Sequence, residues 1–116
     1  MLKTIPELIQ DIRPGLRCVS AETARAELNN SGGVLIDVRE AAEVSQQPVS
    51  KAVPIPRGVL EMKVSEQFPD AEHPIYVHCA SGARATLAGE QLHRIGYQRI
   101  SVITCPLDKV VDSHGE

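Results

Sequence analysis

Three short apolar runs limit what this chain can fold into: VLIDV at 34–38, PIYVHC at 74–79 and ISVI at 100–103. Each carries β-branched residues, as a buried strand does, and the first is bounded by Gly-Gly and by charges. Strands that are apolar on both faces belong to a parallel sheet with helices on either side. The segments between them suit that arrangement. TIPELIQDI (4–12) predicts a helix with Thr4 as N-cap, Pro6 in its first turn and Ile5, Leu8, Ile9 and Ile12 on one face. Pro14-Gly15 ends it, and 16–19 predicts a short strand.

Ser20 predicts the N-cap of a helix over 21–30, with Glu22 placed well for the helix dipole. EAAEV (40–44) predicts one or two helical turns, and 58–68 a short helix. The stretch 46–58 holds three prolines and predicts an extended loop with one short strand near 52–55. A helix over 83–96 carries Leu87, Ala88, Leu92 and Ile95 on its apolar stripe and stops at Gly96. The tail from 104 predicts a last helical turn or two. Alternating strands and helices with short connections predict an α/β fold of three layers, α/β/α. The length, 116 residues, suits one domain over 1–116.

Composition excludes several classes. Hydrophobic residues make up 42% but aromatic residues only 3%, so the core must be aliphatic. A net charge of -3 makes no electrostatic case for nucleic acid, which calls for a basic face, although net charge averages over the surface. No apolar run approaches the ~20 residues needed to cross a bilayer. Lys3, Glu7, Asp11 and Arg13 break up the start where a signal peptide would be apolar, so the expected location is cytoplasmic. Three cysteines, Cys18, Cys79 and Cys105, form no CxxC pair and suggest no disulfide framework.

In open α/β sheets ligands bind beyond the carboxyl ends of the strands, and Cys79 lies at such an end. Ala80, Ser81, Gly82, Ala83 and Arg84 follow it, and a helix begins about there. A turn from strand into helix aims successive N–H groups at one point, where they lack intrahelical partners. With the helix dipole they make an anion cradle. Small side chains keep it open, Gly82 can adopt a positive φ, and Arg84 adds a fixed charge with planar donors. A thiol at its centre is expected to be a reactive thiolate. The bland alternative is a buried core cysteine.

Three stretches resemble the single-domain rhodanese family: VLIDVRE (34–40), IPRGVLE (55–61) and IYVHCASGARATLAGEQLHRIGYQRISVI (75–103). The resemblance runs from about Val19 to Ile103. It sets 1–15 apart as an N-terminal helical extension and 104–116 as a shortened C-terminal segment. It implies a thiosulfate sulfurtransferase: Cys79 takes a sulfane sulfur from a small anionic donor such as thiosulfate, or from a persulfide. Cys79 then passes it to a thiol or a sulfur-acceptor protein.

In this resemblance the N–H groups of residues 80–84 hold the persulfide, Arg84 shapes the loop, and no metal or organic cofactor is required. Related phosphatases use a loop one residue longer than the six from Cys79 to Arg84. Two departures stand out: QQPVSKAVPIP replaces the usual Gly-His-Ile-Pro-Gly-Ala segment, and TCPLDKVVDSHGE follows the last strand without Gly-Gly or Trp. Alternatives are a non-catalytic sulfur-carrier or protein-binding module, and a small phosphatase or arsenate reductase.

Other residues complete the set. Asp37 and Arg39 are read as pointing to opposite sides of the strand end. One of them either braces the loop through an ion pair or belongs to a purely structural pair. Arg57 is expected near the pocket, either drawing an anionic donor or solvated. His78 should point away from Cys79 and be structural. His73, His93 and His114 read as surface residues and Cys18 as core. Cys105 is a relay thiol if it nears Cys79, and otherwise inert.

Overall fold

The apolar runs form the centre of a parallel sheet, and their neighbours follow from them. The computed structural model describes residues 1–115. In chain order the elements are α1 (Ile5–Ile12), β1 (Arg17–Val19), α2 (Ala21–Ser31), β2 (Val34–Asp37), α3 (Ala41–Gln46), β3 (Val53–Pro54), α4 (Leu60–Gln67), β4 (Ile75–His78), α5 (Ala83–Arg94), β5 (Ile100–Ile103) and α6 (Leu107–His114). The five strands pair in parallel in the order β1-β5-β4-β2-β3. The fold is thus a three-layer α/β/α arrangement.

Helix starts follow local chemistry. Thr4 and Glu7 close a reciprocal capping box on α1. The Ser20 side chain accepts from the Thr23 N–H at the start of α2. The loop over 46–58 holds the expected short strand, here only two residues long. The tail forms the expected last helix, eight residues or just over two turns long.

Because side chains alternate along a strand, the sheet has two cores. Ile36, Val77 and Val102 face α4 and α5, and Cys79 continues that side. Leu35, Tyr76 and Ile103 face α2 and α6. The short tail therefore covers one whole side of the sheet together with α2. His114 is the pin. It is buried, and its ring Nε2 lies 2.9 Å from the Ala21 carbonyl, to which it donates. Arg25 donates to the Ser113 carbonyl beside it.

Several expectations fail here. His114 is buried rather than at the surface, because α6 returns onto α2. His73 is half-buried against the Phe68 ring, 5.0 Å between centroids. Ile95 is exposed, since the helix has ended at Arg94 and the chain turns at Gly96 with φ +120°. Cys18 is exposed, because β1 is a three-residue strand at the edge of the sheet. Among the described residues, no helix is long and apolar enough to cross a membrane.

Helix α5 lies so close to β5 that only glycine fits at the contact. A Cβ on Gly89 would sit 2.6 Å from Val102 Cγ2, and Val102 is fully buried. In an open helix, alanine would outperform glycine. Here Gly89→Ala is expected to lower stability by about 1–2 kcal/mol, since overpacking a stiff β-branched neighbour outweighs the helix preference. A urea midpoint equal to or above that of the wild type would contradict this.

Candidate active site

Strand β4 ends at His78, and α5 starts at Ala83. The connection turns at Gly82, whose φ of +96° is a conformation that L side chains rarely adopt. Space demands glycine as well. A Cβ there would lie 3.0 Å from Arg13 Nη2 and 3.2 Å from the Thr104 carbonyl oxygen. The turn folds the helix start back over Cys79. The Gly82 N–H donates to Cys79 Sγ at 3.1 Å and the Ala85 N–H at 3.3 Å. Among the described residues, the N–H groups of Ala80, Ser81, Ala83 and Arg84 have no hydrogen-bond partner. The loop therefore has two donors on the sulfur and four unclaimed. Cys79 itself is 1% exposed, so it sits at the floor of the loop.

Neighbouring elements hold the loop. The Leu107 N–H donates to the Ala80 carbonyl at 2.9 Å, which ties the start of α6 to it. The Thr86 hydroxyl donates to the Gly82 carbonyl at 2.7 Å and accepts from Arg13 Nε at 3.2 Å.

Arg84 reaches across from the loop to α3. Its two terminal nitrogens donate to both oxygens of Glu43, at 2.6 and 2.9 Å. This fork, with the Glu40 N–H, pulls the Glu43 carboxyl down to about 2. Arg84 thus positions the loop from α3, and Glu43 neutralises its charge.

Asp37 and Arg39 do not point to opposite sides. Residues two apart share a face, and these two pair with each other: Arg39 Nε and Nη2 donate to the Asp37 carboxylate at 3.0 and 2.7 Å. The pair is 1% and 2% exposed. Arg39 also donates to the carbonyls of Gln47 at 2.8 Å and Glu43 at 3.4 Å, and so clamps the C-terminal turn of α3. Any brace on the active loop is therefore indirect, running through α3 and Glu43 to Arg84.

His78 is fully buried on the face opposite Cys79, as strand alternation requires. Its Nε2 lies 3.6 Å from Asp37 Oδ2 without a hydrogen bond. Burial holds its ring below the ordinary imidazole value, against the pull of Asp37.

The remaining candidates do not converge on the thiol. Arg57 pairs with Glu61 one helical turn on, at 2.9 Å. Cys105 is partly buried, and its Sγ accepts from the Ala21 N–H at 3.3 Å, at the start of α2. Sequence reasoning missed Glu43, Thr86 and Arg13. Their partners lie far along the chain, and only the return of α1 and α3 onto α5 brings them together.

Comparison with known proteins gives a consistent result. A family model described as a rhodanese-like domain matches residues 20–111. A mitochondrial protein of Schizosaccharomyces pombe, provisionally assigned as a thiosulfate sulfurtransferase, is 38% identical over 82 residues; the match covers 61% of this chain and 58% of that relative's length. The polysulfide-sulfur transferase homodimer of Wolinella succinogenes is 28% identical with a TM-score of 0.76, over 91% of this chain and 80% of its own. A Rhodopseudomonas palustris protein of unknown function, described as a possible tyrosine phosphatase, has a TM-score of 0.84 over 100% of this chain and 95% of its own. At 19% identity it shares the fold alone.

Two outcomes test this frame. Asp37→Asn leaves Arg39 charged and buried with a poorer partner, and is expected to cost about 3 kcal/mol in urea unfolding; a loss below ~1 kcal/mol would show that the pair is not needed. The second concerns pH. Burial lowers the pKa of His78 and of His114 from the ordinary 6.5. Each ring therefore resists protonation in the fold more than in the unfolded chain, which takes up protons as pH falls through about 6.5. Stability is therefore present in full above that pH and is lost as pH falls towards the lower folded values. The urea midpoint should drop between pH 7.5 and 5, and His114→Gln, which keeps an N–H for Ala21, should flatten the drop.

Proposed function

We propose that this chain, which belongs to the rhodanese-like domain family, is a sulfurtransferase that carries sulfane sulfur on Cys79. One observation carries the reading: the N–H groups of Gly82 and Ala85 converge on Cys79 Sγ where a strand passes into a helix. Sulfurtransferase-named relatives support it at the level of the family.

The reaction follows from that geometry. The Cys79 thiolate attacks the outer sulfur of thiosulfate. The donor's S–S bond breaks, sulfite leaves with the electron pair, and Cys79–S–S⁻ remains. The new terminal sulfur carries negative charge and needs donors. The unclaimed N–H groups of Ser81, Ala83 and Arg84 would supply them, and the start of α5 adds its dipole.

A nucleophile, cyanide or a thiol, then attacks that sulfur. The Cys79 S–S bond breaks and the thiolate returns. A persulfide donor enters by the same step with a thiolate leaving. Ala80 and Ala83 keep the bowl open through small side chains. Arg84 acts by holding the loop to α3 rather than by meeting the donor. Asp37 and Arg39 support it from beneath, and Arg57 stands outside it. The six residues from Cys79 to Arg84 favour a single sulfur over a phosphate group.

Intact mass after mixing with thiosulfate tests the reading. Wild-type protein should gain about 32 Da, one sulfur atom, and lose it to cyanide as thiocyanate. Cys79→Ser, which keeps Cys18 and Cys105, should gain nothing. No adduct with thiosulfate or polysulfide, together with hydrolysis of an aryl phosphate, would establish a phosphatase. Absence of both would leave a binding module.

A further inference from the structure

The arginines around the active loop are not equivalent. Arg39, Arg57 and Arg84 are each paired with an acid, Asp37, Glu61 and Glu43 respectively. Arg13 is paired with none among the described residues. It follows α1 directly, and its Nε is fixed on Thr86 Oγ1. Its Nη2 stands beside Gly82, 3.0 Å from where a Cβ on that residue would be. The Nη groups have no acceptor among the described residues. A half-buried guanidinium thus stands over the turn that organises the cradle, with donors to spare.

Arg13 also lines a groove of about 960 Å³ between α1, β1 and the active loop. Ser81 and Ala83 of the loop line it, with Gln10, Cys18 and Thr104. Ile5, Ile9 and Leu16 supply an apolar wall. Arg13 is the sole charged side chain in that lining, and no carboxylate opposes it. One fixed cation, an apolar wall and an edge on the cradle suit a ligand of matching pattern. It would have a carbon skeleton, one anionic group and sulfur at its other end.

We infer that this groove binds the organic partner in sulfur transfer, a thiol or persulfide bearing a carboxylate or sulfonate, and that Arg13 selects it by that charge. The inference rests on the sulfurtransferase reading for its sulfur chemistry; the anion selectivity of the groove stands apart from it. Guanidinium recognises a carboxylate or sulfonate through a planar fork. With Glu43 occupying Arg84, Arg13 is the residue left to do so.

Cys18, exposed in the groove, reports on it without any sulfur transfer. The experiment compares alkylation of Cys18 and Cys79 by iodoacetate and by its neutral counterpart iodoacetamide, resolved by peptide mass. Arg13→Gln should lower the iodoacetate-to-iodoacetamide rate ratio at Cys18 about fivefold to tenfold at low salt. Arg13→Lys should restore most of it, and Arg13→Glu should depress it further. Glutamine can still donate to Thr86, and any disturbance of the loop would move both reagents together, so the ratio isolates charge.

A second arm measures discharge of the persulfide by mercaptoethanesulfonate against mercaptoethanol; Arg13→Gln should slow the first and spare the second. An unchanged alkylation ratio at Cys18 overturns the inference, whatever the activity. A lowered ratio in a protein that never forms a persulfide upholds the anion groove and removes the sulfurtransferase reading instead. A lowered ratio with equal discharge by both thiols overturns the groove as the acceptor's site.

Discussion

The buried ion pair between Asp37 and Arg39 is the interaction on which the site depends. Two charges at 1% and 2% exposure survive only when their hydrogen bonds are met. Here the remaining Arg39 donors go to main-chain carbonyls at the end of α3. That requirement fixes a helix of only six residues, too short to hold itself. With α3 fixed, Glu43 is fixed, and with Glu43 so is Arg84. A loop of small residues with little packing of its own thus gains a rigid outer edge from charge buried at the end of the neighbouring strand.

The other edge of the loop is held by different means. Gly82 supplies a backbone angle that other residues resist, and its bare α-carbon admits Arg13 and Thr104. Thr86 bonds back to Gly82, and α6 starts with a bond to Ala80. The cradle is therefore suspended between α1, α3 and α6, with none of its own side chains filling it. Preorganised donors of this kind act without rearranging.

The sheet and its helices were legible because their signals are local. Val34 to Val38 and Ile75 to Cys79 announce buried strands through short, mainly apolar runs with β-branched residues, and Ser20, Thr4 and Gly96 mark helix ends by cap chemistry. The cysteine at a strand-to-helix turn was legible for the same reason. What escaped was set by distance along the chain. Nothing near Arg84 says that Glu43 will claim it, and nothing near His114 says that Ala21 will cover it. Cys18 reads as core because it sits in a short early strand, yet that strand lies at the sheet's margin. Asp37 and Arg39 were recognised as a pair but given the wrong geometry, since a two-residue step keeps both on one side.

The order β1-β5-β4-β2-β3 leaves two margins, and both are poor templates for another strand. One is three residues long and begins with Arg17, its guanidinium held by Glu27. The other is two residues long and ends on Pro54, which has no N–H to offer. Short, charged or proline-bearing margins discourage strand addition. The flanks of the sheet are thereby closed to strand addition, which leaves the carboxyl end of the strands, where the thiol lies. The same features that guard this small domain against sticking to its copies also direct where a visitor must approach.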